Sequence, residues 1–208
     1  MDPADALAQL ETIRIIMERA ALYRRALGPI CLCVGGVGVL AGGVGFGLHV
    51  ENVTAFAALW LGAALAAVAL AFFVARRQAL GAGEPFWSPP TRRIASALLP
   101  PLVAGAALAV PFLLGEDWAR RVVWLLPALW MILYGCALQA AGFFMRRGIR
   151  LLGWAYAVAG IADLLWWTCP LNQFPSIAQS HLVMGLGFGV GHLVYGAYLQ
   201  ITEHRAET

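Results

Sequence analysis

No lysine occurs anywhere in the 208 residues; all 14 basic residues are arginine. That excludes any chemistry needing a lysine Schiff base, retinal attachment included. Charge of either sign is scarce at 12%, and within the long apolar stretches Asp163 is the only acidic residue. No Walker loop, nucleophile elbow, His-Glu-x-x-His helix or dinucleotide fingerprint is present, so no motif points to an enzyme. The four cysteines offer no bridge. Cys31 and Cys33 stand about 200° apart on a helix, Cys136 falls in the middle of an apolar stretch, and Cys169 has no partner near it. An intramolecular disulfide is therefore not expected. Nor is a signal peptide: the N-terminal segment carries acids, and the first apolar stretch is too long for one.

What the chain has in abundance is apolar length. Hydrophobic residues make up 61% and the mean hydropathy is +0.76, above the usual soluble share. Six stretches, 27–48, 53–75, 94–115, 122–145, 151–169 and 180–201, are each about the 20 residues that a helix needs to cross a bilayer. In lipid the backbone must satisfy its own hydrogen bonds, so such spans are helices. The fold class read from the sequence is all-α: a polytopic membrane protein of six transmembrane helices over 27–201, preceded by an amphipathic cytoplasmic helix over 1–26 and followed by a tail over 202–208. That layout leaves no room for a soluble catalytic domain.

Arginine placement gives the orientation. With the N-terminus inside, the inner segments hold Arg14, Arg19, Arg24, Arg25, Arg76, Arg77, Arg92, Arg93, Arg146, Arg147, Arg150 and Arg205, and the outer loops hold only Arg120 and Arg121. Positive residues concentrate on the cytoplasmic side, so both termini are expected there. Their spread over membrane-flanking segments argues against nucleic acid as a partner. Trp118, Trp124, Trp166 and Trp167 then gather at the outer interface, with Trp87 and Trp154 at the inner one, as aromatic belts do.

Residues 2–27 read as an amphipathic helix. Asp2 suits the cap and Pro3 the first helical position. Ile13, Ile16, Met17, Ala20, Tyr23 and Leu27 share one face, and Glu11, Arg14, Glu18 and Arg25 the other. Such a helix lies in the headgroup layer or docks a cytoplasmic partner or a second copy of the chain.

The run Ile13-Arg14-Ile15-Ile16-Met17-Glu18-Arg19 with Tyr23 and Leu27-Gly28, together with the closing span from Met184 to Gly196, resembles a family of bacterial six-helix inner-membrane proteins with no known activity. The resemblance is confined to the two ends of the chain. It implies the architecture and a location in the bacterial cytoplasmic membrane, and it supplies no catalytic residue. At Leu27-Gly28-Pro29 the sequence departs from the family, which has a small polar residue before the glycine.

The first span is dense in glycine: Gly35, Gly36, Gly38, Gly42, Gly43, Gly45 and Gly47. Small residues let membrane helices approach closely, so this helix is expected at the centre of the bundle or at a contact between copies. Pro100, Pro101 and Pro111 in the third span and Pro127 in the fourth are expected to kink them. The segment 76–93 is expected to be an irregular loop.

Intramembrane titratable groups are the places to look for chemistry. Asp163 shares a face of the fifth span with Tyr156, Ala159, Gly160 and Trp167, while His181, Gly185, Gly189, His192 and Gly196 fall on one stripe of the sixth. Asp163, His192, His181 and Tyr156 form the candidate polar site, with Asp163 expected to face the stripe. Haem ligation by the two histidines is disfavoured, because they lie about 16 Å apart on one helix. His49, Glu51, Glu116, Asp117 and His181 show no metal-ligand spacing, and no cofactor or metal is assigned.

The reading that follows is a non-enzymatic integral inner-membrane protein with an accessory, regulatory or structural role. Its partners are the lipid bilayer and a cytoplasmic protein or second copy, held through the N-terminal helix or the first span. A small proton- or cation-coupled transporter or channel using Asp163 and His192 is the first alternative, and a membrane-embedded enzyme the second.

Overall fold

The computed structural model describes residues 26–207 apart from 84, 146 and 171–172, with the backbone alone at 147 and 203–207. The expected amphipathic helix over 1–26 lies outside these residues but for its last position. Among the described residues all regular structure is helical, without a strand. The helices are α1 (Ala26–Gly47), α2 (Val53–Gly81), α3 (Pro89–Leu113), the single turn α4 (Ala119–Val122), α5 (Leu125–Ala141), α6 (Arg147–Thr168), α7 (Ile177–Met184) and α8 (Gly191–Glu207). A π-helical segment, Gly185–Val190, joins α7 to α8 without a break.

Local sequence explains most boundaries. Asn52 caps α2 by accepting from the Ala55 N–H at 3.0 Å. Pro89 and Pro90 occupy the first positions of α3, where the missing N–H costs nothing. A reciprocal capping box starts α7: the Ser176 hydroxyl accepts from the Gln179 N–H at 3.2 Å, and the Gln179 carbonyl oxygen accepts from the Ser176 N–H at 2.8 Å.

Two expectations change. The helix α2 runs through Arg76 and Arg77 to Gly81, so the irregular connection shrinks from 76–93 to 82–88. The fourth stretch is not one helix over 122–145. Pro127 cannot donate to the Val123 carbonyl, and the Leu126 N–H takes it at 3.0 Å instead, so α5 starts anew at Leu125. Pro127 consequently sits in the first turn of α5, where its lost donor has no helical partner anyway. Helix α8 runs past 201 to Glu207.

Among the described residues five apolar helical stretches are long enough to cross a bilayer: Ala26–Gly47, Val53–Gly81, Pro89–Leu113, Gly148–Thr168 and Ile177–Thr202. The sixth apolar helix, Leu125–Ala141, has 17 residues, about 26 Å of rise. Large apolar side chains stand exposed along these helices, among them Leu65, Phe72 and Phe73 on α2, Leu99 on α3, and Leu151, Val158 and Leu165 on α6. Apolar exposure on that scale fits a membrane protein and not a water-facing surface.

Two helix pairs are held backbone to backbone. The α1 helix lies along α7, the π segment and α8. A Cβ added at Gly35 would stand 2.7 Å from the Leu193 nitrogen, one at Gly38 2.7 Å from the Gly189 nitrogen, and one at Gly42 2.8 Å from the Gly185 Cα. On the opposite side of α1, Gly36, Gly43 and Gly47 face open space. The second pair is α5 on α6: a Cβ at Gly135 would lie 2.6 Å from the Ala157 nitrogen, and one at Gly160 2.7 Å from the Ala128 carbonyl oxygen. Two apolar clusters complete the core. One joins α2, α3, α5 and α7 through Phe56, Trp60, Phe112, Leu126 and Met184. The other holds Met131, Leu138, Ile149 and Tyr156.

Candidate functional site

Among the described residues the polar side chains buried in this core are Ser180, His181 and His192, all on the last helical stretch. A buried polar group that lacks hydrogen bonds costs free energy, so its partners define what it can do.

His181 is fully buried, at 0% exposure. The Trp60 indole N–H donates to Nδ1 at 3.1 Å, and Nε2 lies 3.1 Å from the Val50 carbonyl oxygen. A carbonyl only accepts, so the ring carries its proton on Nε2 and gives it to Val50. The Phe56 ring meets the imidazole edge-on at a centroid distance of 4.8 Å. On the remaining side α1 comes so close that a Cβ at Gly45 would overlap the imidazole. His181 thereby fastens α7 to α2 and to the α1–α2 connection, with no ring nitrogen left over.

His192 has the opposite tautomer. Nδ1 lies 2.6 Å from the Phe188 carbonyl and 2.7 Å from the Tyr156 hydroxyl, and Nε2 lies 2.7 Å from the Tyr134 hydroxyl. Tyr156 O–H donates to the Gly187 carbonyl at 2.9 Å. In the neutral ring, Nδ1–H therefore faces Phe188 and the Tyr156 oxygen, and Nε2 accepts from Tyr134. The Tyr134 and Tyr156 rings cross at 87° with centroids 5.1 Å apart, and Phe188 packs 5.4 Å from each. Both carbonyls that terminate this network, Gly187 and Phe188, belong to the π segment. A widened π turn frees backbone acceptors that a regular helix would use internally, and Tyr156 and His192 supply the donors.

The candidate residues thus separate into three places. Tyr156 and His192 are brought together. His181 sits apart with Trp60 and Val50. Asp163 is half-buried and accepts from the Trp167 indole N–H at 2.9 Å, one turn along its own helix; the described hydrogen bonds of the histidines all go elsewhere. His192 also leaves the stripe on which a regular helix would place it: Leu193 meets Gly35 of α1, and His192 turns toward α5 and α6.

Sequence reading missed Tyr134 and Trp60. Each is an aromatic with a polar tip placed inside an apolar stretch, and such tips need a partner when buried. Among the described residues no three His, Cys, Asp or Glu side chains come together as a metal site, and all four cysteines are free.

Chemically, the Tyr134–His192–Tyr156 chain ends on one side at the Gly187 and Phe188 carbonyls, which do not pass protons on, and on the other at the Tyr134 hydroxyl. No family model, curated protein or solved structure matches this chain.

Proposed function

We propose that this chain is a six-span protein of the bacterial cytoplasmic membrane, with both termini inside, and that its role is accessory, regulatory or structural and not enzymatic. Helix α5, extended outward by the α4 turn, makes the sixth span, and the arginine asymmetry sets the orientation. The observation that carries the functional reading is the closed His192 network: each hydrogen-bonding position of the ring is taken by Tyr134, Tyr156 or the π segment. Transport needs a wettable polar route, and this buried histidine has none of its hydrogen bonds free for one. The bilayer is the principal partner. A cytoplasmic protein or second copy would engage the N-terminal helix or the open Gly36–Gly43–Gly47 side of α1.

The half-buried Asp163 favours one second reading, a proton- or cation-coupled channel or transporter, because an acid within a span is expensive to keep without a use. Asp163→Asn keeps the shape and removes the charge. In sealed proteoliposomes the structural reading expects wild type and Asp163→Asn to leak protons and cations like protein-free vesicles. A wild-type flux abolished by Asp163→Asn would replace that reading with transport.

A further inference from the structure

We propose that the base of the α2–α3 hairpin is a docking surface for anionic phospholipid headgroups, with Arg76, Arg77, Arg92 and Arg93 as its phosphate-binding rim and Trp87 as an apolar wedge between them. This rests on the membrane-spanning reading above. From 53 to 115 the sequence holds these four arginines against one acid, Glu84. All four arginines are exposed, and none forms an ion pair among the described residues.

The described residues 85–88 of the connection are tied to both helices. The Thr91 hydroxyl donates to the Phe86 carbonyl at 2.8 Å and lies 2.9 Å from the Ser88 hydroxyl. Phe86 folds back onto α2, its ring edge-on to Phe72 at 4.7 Å between centroids, and Trp87 leans on Phe86 at 6.1 Å. Phe72 stands four residues before Arg76, about 6 Å along the axis. Arg92 and Arg93 lie just past the first turn of α3. The fold-back therefore sets Trp87, 58% exposed, at the same end of the α2–α3 hairpin as both arginine pairs.

Above that level α2 presents Phe72 and Phe73 to the surroundings, so the arginines mark the lower edge of an apolar belt. An indole beside cationic side chains at such an edge matches the headgroup layer, where tryptophan concentrates and basic residues are drawn to anionic phosphate by charge. The continuity of the charged rim with a lipid-facing surface selects a lipid over a soluble acidic partner.

The test uses the full chain in phosphatidylcholine vesicles containing a minor share of brominated phosphatidylglycerol or, in parallel, of brominated phosphatidylcholine. Bromine quenches nearby tryptophan, and the W87F variant isolates the Trp87 signal by difference. Trp87 should be quenched about threefold or more strongly by the anionic lipid, since each basic residue near a membrane surface adds several-fold attraction. The excess should vanish in R76Q/R77Q/R92Q/R93Q and persist in the corresponding lysine variant, which keeps charge and orientation. Inorganic phosphate should leave it unchanged. Equal quenching by the two lipids overturns the docking surface and leaves the spanning reading standing, whereas no quenching of any tryptophan by either lipid overturns the spanning reading itself. Loss of the excess on adding inorganic phosphate would make this a soluble-anion site and overturn the lipid assignment. Loss in the lysine variant would remove charge as its cause, and retention in the glutamine variant would remove the arginines.

Discussion

The indole of Trp60 donates its N–H to Nδ1 of His181 across 121 positions of sequence, and the far side of that imidazole reaches the Val50 carbonyl. One ring thus joins three segments at one end of the bundle. Trp60→Phe keeps most of the apolar volume and leaves Nδ1 buried without a donor. The expected loss is about 1–3 kcal/mol, read as an earlier unfolding transition in detergent titration. An unchanged transition would mean that the histidine is not held by this bond.

The two histidines should differ in tautomer. Nitrogen NMR of the labelled protein should find the His181 proton on Nε2 and the His192 proton on Nδ1. Tyr134→Phe should leave the Nδ1 proton of His192 in place, because it is held by the Phe188 carbonyl. A shared tautomer would show that one network is drawn wrongly.

The glycines of α1 should divide by face. Gly38→Ala forces a Cβ into the Gly189 backbone and should destabilise by about 1–3 kcal/mol. Gly36→Ala and Gly43→Ala meet open space and should be neutral or more stable by up to about 1 kcal/mol, the helix-propensity gain. Equal effects on both faces would contradict the packing of α1 on the π segment.

Topology is checked by single cysteines in a background without the four natural ones. Labels at residues 50, 117 and 173 should react from outside, and labels at 84, 148 and 206 only from inside, as the arginine asymmetry requires. External reaction at 84 or 148 would overturn the orientation.

Composition made the long apolar helices legible, because periods of lipid-length hydrophobicity need no knowledge of packing. The glycine density of α1 likewise announced a close approach, and Gly185 and Gly189 are where it lands. The site was less legible for a physical reason. Placing residues at 100° intervals assumes an unbroken α-helix, and the Gly185–Val190 π segment breaks that assumption between His181 and His192. The stripe that set both histidines toward one partner therefore splits, His181 toward Trp60 and His192 toward Tyr134 and Tyr156. Depth along the membrane also says nothing of azimuth, so Asp163 at a similar level met Trp167 of its own helix. The start of α5 is written in Pro127, whose missing donor leaves the Val123 carbonyl to the Leu126 N–H.

The central claim is that the Tyr134–His192–Tyr156 network fastens the π segment and conducts nothing. Tyr156→Phe tests it most directly, because it removes one hydroxyl bonded to both Gly187 and His192 and leaves the ring. In proteoliposomes carrying an internal pH dye under an imposed potential, wild type and Tyr156→Phe should both match protein-free vesicles. Tyr156→Phe should also unfold earlier, by about 1–3 kcal/mol. A wild-type proton flux above the protein-free leak that disappears in Tyr156→Phe, with stability unchanged, would contradict the claim.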